Sequence, residues 1–156
     1  MPATPQDAQL ILQLYDLRRE AEMRKARNYV GLEFWPSQYA DLEKSIFVPY
    51  SDENRYFRQA VSFWEMAATL VLHGSINEDL YIDTADEMFF IYGKLRPFVA
   101  EVREKTQNPA FLGNIEKLIN RSPKAQEKAA AIEKRVARVG KMVAEKKAAQ
   151  AAAKAS

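Results

Sequence analysis

The chain contains one histidine, His73, directly before Gly74. Imidazole titrates closest to neutrality of all side chains, so His73 is the first residue to weigh as a general base. A residue in front of a helix-ending glycine also has an ordinary task, at a helix C-terminus. Glu65 is the second candidate. It sits within FWEMAATLV, on a segment whose helical neighbours are apolar nearly all round. A carboxylate buried there has to be paired, and Arg55, Arg58, Lys94 and Arg96 are the partners within reach of the reading. Burial would raise its pKa and fit it for general-acid work, but structural pairing with a base is the expectation. No catalytic residue is assigned.

Metal chemistry finds little to use. With no cysteine there are no thiolate sites, and one histidine cannot supply the Glu-x-x-His pairs of a helical carboxylate centre. The acids Glu78, Asp79, Asp83, Asp86 and Glu87 invite a calcium reading. A loop starting at Asn77 or Asp79 nevertheless lacks the glycine at position six and the glutamate at position twelve. Only five glycines are present, and neither a phosphate-cradling loop nor a nucleophile elbow can be traced through them. No metal and no cofactor is expected.

Charge is where the sequence is uneven. Residues 122–156 hold nine Lys/Arg against three Glu, a surplus of +6, so the whole-chain +2 leaves −4 on residues 1–121. The basic residues, among them Lys134, Arg135, Arg138 and Lys141, spread around a helix without interleaved aromatics. Phosphate contact is open to them, base stacking is not. The same stretch carries Ile132, Val136, Val139 and Val143 at three- and four-residue spacing, a narrow seam for a partner or for the body.

The elements that must position these groups are helical throughout. Residues 4–28 read as a first helix with Leu10, Ile11, Leu14, Tyr15, Leu17 and Ala21 as its apolar stripe. Thr4, Pro5 and Asp7 mark its start. A short helix near residues 37–47 follows between Pro36 and Pro49. The centre is a helical hairpin. Its first arm runs from Ser51 to His73; its second opens at Thr84 with Glu87 three residues on, in the manner of a capping box, and bends at Pro97. A short helix starting near Asn108-Pro109 leads to Ser122-Pro123, where one long basic helix begins. Of 17 aromatic residues, 14 lie between Phe34 and Phe98. The core is therefore in the middle, with Trp64 and Phe89 buried in it.

The runs Trp64–Val71, His73–Leu80 and Tyr92–Arg103 resemble bacterial all-helical proteins catalogued as a domain of unknown function. The resemblance covers the central third of the chain. It implies an all-helical bacterial domain and no activity.

The fold expected is therefore all-α: five to six helices around a central helical hairpin, with a long basic C-terminal helix. Residues 1–121 form the domain and residues 122–156 a basic helical extension, in which residues 123–147 make one long helix that touches the body less than any other helix. The function expected is a non-enzymatic interaction or scaffold module with a protein partner or a second copy of itself. Nucleic-acid or anionic-partner binding through the basic helix is one alternative; an enzyme using Glu65 or His73 is the other. No window reaches the length of a membrane span, and the first helix does not read as a signal peptide. The cysteine-free chain suits a cytoplasmic location.

Overall fold

A computed structural model describes residues 2–155, and among them there are helices and no strand. Helix α1 (Pro5–Leu17) starts on a capping box between Thr4 and Asp7. It does not continue to residue 28. Arg18 ends it, and the Glu20 carboxylate accepts from the Met23 N–H at 2.9 Å to start α2 (Ala21–Asn28). The break also revises the α1 stripe. Leu14 is buried and Leu10 and Ile11 are partly covered, but Tyr15 and Leu17 are exposed.

A π-helical turn, Tyr29–Glu33, extends α2 and closes with the Phe34 N–H donating to the Tyr29 carbonyl at 2.9 Å. The short helix α3 (Tyr39–Glu43) follows. Helix α4 (Asp52–Leu72), capped by Ser51, buries Phe57, Ala60, Val61, Trp64, Ala67, Ala68 and Val71 along one side. Gly74 at φ +77° ends it: its N–H and that of Ser75 reach the carbonyls of Val71 and Leu70. This left-handed turn needs glycine, as the pattern His73-Gly74 requires.

Helix α5 (Glu78–Thr84) starts on Asn77, whose side chain accepts from the Leu80 N–H, and Thr84 ends it instead of capping the next helix. Its hydroxyl bonds back to the Leu80 carbonyl at 3.0 Å. Helix α6 (Asp86–Leu95) thus begins without a side-chain cap, and Glu87 is free for other work. A 3-10 turn at Arg96–Phe98, around Pro97, leads into α7 (Val99–Lys105). Helix α8 (Gly113–Arg121) begins later than Asn108-Pro109, after Leu112 in a left-handed conformation at φ +53°.

Helices α2 and α8 lie along α4. The last helix, α9 (Pro123–Ala155), lies along α6 and the end of α8. Trp64 and Phe89 sit in the same apolar core. The segments read as single helices are divided, so the fold is all-α with more breaks than five or six helices allow.

The weakly attached extension is corrected by the packing of α9. Ala125, Ala129 and Val136 are buried, and Ile132, Val139 and Val143 are half-buried against the body. One glycine sets the closest approach. A Cβ on Gly93 of α6 would meet Val136 Cγ2 at 3.3 Å, whereas one on Gly140 would make an ordinary contact with the Trp35 ring at 3.5 Å. Charge matches too: Lys124 pairs with Asp83 at 2.8 Å, Lys128 with Asp86 at 2.5 Å, and Arg121 with Glu78. Of the acids read as a calcium candidate, Asp79, Asp83 and Asp86 are counter-charges of the basic helix, Glu78 serves the end of α8, and Glu87 pairs elsewhere.

Candidate functional site

The concave surface with the most chemistry on its walls lies between α2, α6 and α9. Trp35 and Phe90 form its floor, edge-to-face with ring centroids 5.8 Å apart. Leu32 stands on one wall and Ile132 and Val139 on the other. The cleft holds about 580 Å³, within the usual range for binding clefts. Its rim carries Arg24, Arg27 and Arg135, with Asp86 and Glu87 below.

Those two acids are already neutralised. Asp86 has Lys128. Glu87 takes Arg18 at 2.7 Å and both Nε and Nη2 of Arg27, at 2.9 and 2.7 Å, while the Trp64 indole N–H approaches at 3.4 Å. Burial alone would raise the Glu87 pKa, but the two guanidiniums outweigh it and hold the carboxyl below its ordinary value. Arg18 also lies over the Trp64 ring, 5.0 Å from its centroid. This cluster fixes α1 and α2 to α6. Neither Arg24 nor Arg135 makes an ion pair among the described residues.

Behind the floor is Lys94, buried, whose Nζ donates to the carbonyls of Val30, Gly31 and Phe34 at 2.7, 2.9 and 2.8 Å. It also sits 3.8 Å from the Trp35 ring centroid. The ammonium closes the end of the π turn and presents Trp35 to the cleft. Burial pushes its pKa down to about 7. A depressed lysine beside a cleft has the profile of an amine nucleophile. Here each of its three N–H bonds is already directed at a carbonyl, so it is a clamp. The sequence offered Lys94 only as a partner for Glu65, because the three carbonyls lie 60–64 residues away.

Glu65 is half-buried and not paired with a base. Its oxygens accept from the backbone N–H of Asn114 at 3.2 Å and of Ile115 at 3.0 Å. The carboxylate thus caps the start of α8, where the helix dipole favours a negative charge and Leu112 supplies no side-chain cap. Of the expected partners, Lys94 serves the π turn and Arg96 pairs with Glu133 at 2.6 Å. His73 is exposed and ends α4, eight residues from Glu65, so the two stand about 12 Å apart along one axis. Neither lines the clefts around Trp35.

The residues expected to interact are split by the fold. Ile132, Val139 and Arg135 line the cleft between α2, α6 and α9. Val136 faces a second cleft on the far side of Trp35, beside Gly93 and Pro97. Val143 and Lys141 border a third, near Ser37 and Asp41. Lys134 and Arg138 are exposed on the outer face of α9. Among the described residues no group of three His, Cys, Asp or Glu could hold a metal ion, and no helix is long and apolar enough to cross a membrane.

A family model described as a domain of unknown function (DUF4760) matches residues 3–122, the part of the chain that precedes α9. Neither a curated protein nor a solved structure matches the chain.

Proposed function

Since the chain belongs to the DUF4760 family, whose description assigns no activity, we propose from its own geometry a non-enzymatic helical interaction module that works by self-association. One observation carries the reading. Helix α1 exposes Leu12, Tyr15 and Leu17, each by more than half, although the core behind it is filled. Large apolar side chains grouped on one helix mark a surface that a partner covers. The engagement of Glu65 with a helix end and the distance of His73 from it support the non-enzymatic part. A bacterial cytoplasmic location belongs to the same proposal, in keeping with the cysteine-free sequence.

The test is sedimentation velocity on the full chain over a wide concentration range. A reversible monomer–dimer transition is the expected result. A single monomeric species at every concentration overturns the reading.

A second reading is favoured by a separate observation. Lys134, Arg138 and Lys141 recur at four- and three-residue spacing on the exposed side of α9, and neither Lys134 nor Arg138 makes an ion pair among the described residues. Three cations on one face suit an anionic partner such as nucleic acid. Fluorescence anisotropy of a labelled single-stranded oligonucleotide tests it. Binding that weakens steeply with salt and is lost on replacing all three by glutamate supports the basic face; salt-insensitive or absent binding removes it.

A further inference from the structure

We infer that the cleft between α2, α6 and α9 receives helix α1 of a second copy of this chain; the inference rests on the self-association proposed above. The cleft is a groove whose spare charge is of one sign only. Its acids, Asp86 and Glu87, are matched by Lys128, Arg18 and Arg27. Its remaining rim cations, Arg24 and Arg135, stand on opposite walls and have no ion-pair partner among the described residues. An occupant should therefore bring carboxylate and apolar surface together. The wall from Ile132 to Val139 is seven residues long, about 10.5 Å of helix or two turns. A helix seated there reaches it with side chains at i, i+4 and i+7.

Helix α1 has that composition and spacing. Between Pro5 and Leu17 it carries Asp7 and Asp16 and no Lys or Arg. Its solvent face presents Ala8, Leu12, Tyr15 and Asp16, at i, i+4, i+7 and i+8, with Leu12 67% and Tyr15 59% exposed. Asp7 is spent on Thr4 and on the Asn77 N–H, whereas Asp16 makes no ion pair and is available to a guanidinium. The opposite side of α1, around Leu14, is buried against its own body, so the Leu12–Tyr15 face points away from it and serves another molecule. Asp16 and Arg24 border one shallow cleft at the α1–α2 junction. Donor helix and receiving groove thus adjoin, an arrangement that a two-fold axis can satisfy twice in one closed dimer.

The experiment uses the full chain and two variants, Leu12→Asp in the donor helix and Arg135→Glu on the groove rim. Both sites are exposed, and an unchanged far-ultraviolet circular dichroism spectrum verifies that each variant folds. Sedimentation velocity should show each alone weakened in self-association by about tenfold or more. A mixture should associate better than either variant alone. The Leu12→Asp copy keeps its groove and the Arg135→Glu copy keeps its helix, so one of the two contacts re-forms. If the wild type dimerises and neither variant weakens it, this groove is not the interface, although self-association stands. If both variants weaken it but the mixture gains nothing, the two residues do not meet as donor and groove. A wild type that stays monomeric and instead co-sediments with vesicles of anionic phospholipid, or binds an acidic peptide in this groove, removes both the inference and the reading beneath it.

Discussion

The Lys94 ammonium has three N–H bonds and three carbonyls to receive them, at the end of a π turn where the Trp35 indole N–H takes the Leu32 carbonyl. Its folded pKa of about 7 lies below the ordinary 10.5, so between those values the unfolded chain binds the extra proton. Stability therefore rises with pH across that window and is flat, with the cost fully present, below it. Compared with Lys94→Met, the wild type should gain up to about 1.4 kcal/mol per pH unit between pH 7 and 10 in urea-unfolding free energy. Equal slopes would mean that the lysine is not desolvated. Glu87 acts in the other direction. Its folded pKa is depressed, so its contribution is present above the ordinary carboxylate value of 4.5 and is lost as pH falls through the folded one. Glu87→Gln strands two guanidiniums near Trp64 and should cost about 3 kcal/mol at pH 7, with a flatter acid limb in a denaturation series. How legible such roles were depended on sequence distance. Gly74 was readable because its turn is local. Lys94, Arg18, Arg27 and Glu87 were not, because their partners lie 60 or more residues away and charge alone names no partner.

At the scale of the helix, two interactions decide how elements meet. Glu65 holds the start of α8 through two backbone N–H groups, in place of the base expected from its apolar neighbours. Glu65→Ala should destabilise by about 1–3 kcal/mol as the buried donors lose an acceptor, while Glu65→Gln, which retains an amide oxygen, should cost less. Guanidinium titration of the two variants separates a cap from an ion pair, since a lost pair would affect both alike. The notch at Gly93 sets the distance between α6 and α9. Gly93→Ala presses a methyl group against Val136 Cγ2 while gaining about 1 kcal/mol of helix propensity, so the two should nearly cancel and leave stability within about 1 kcal/mol of the wild type. Val136→Asp should unfold the domain more readily instead of only loosening a partner, because that valine belongs to the body's packing. Melting temperatures of the two variants test both statements. The periodicity of the α9 seam was plain in the sequence. Its destination was not, because a three-four stripe fits a neighbouring helix and a foreign one equally well, and only the glycine notch selects the first.

Across the whole molecule, the acidic body meets the basic helix at its first turns. Lys124 and Lys128 fasten the start of α9 to Asp79, Asp83 and Asp86, just after Arg121 at the end of α8 takes Glu78, and the apolar seam continues the attachment to Val143. Beyond residue 143 every side chain described on the helix is exposed. Removing residues 144–156 should leave the melting temperature nearly unchanged, whereas ending the chain at Arg121 should lower it sharply, since Ala125, Ala129 and Val136 leave with the helix. The all-helical class followed from period alone, while the thin aliphatic seam and the lack of aromatics misled by suggesting a weakly held tail. This one-ended fastening has a consequence for how the helix melts. Amide exchange should be slowest near Ala129 and quicken residue by residue toward Ala155, since its last turns rest on alanine's intrinsic helicity alone. The junction between wound and unwound chain is then a front that retreats toward Val143 on warming and stops there, at the last side chain the body holds.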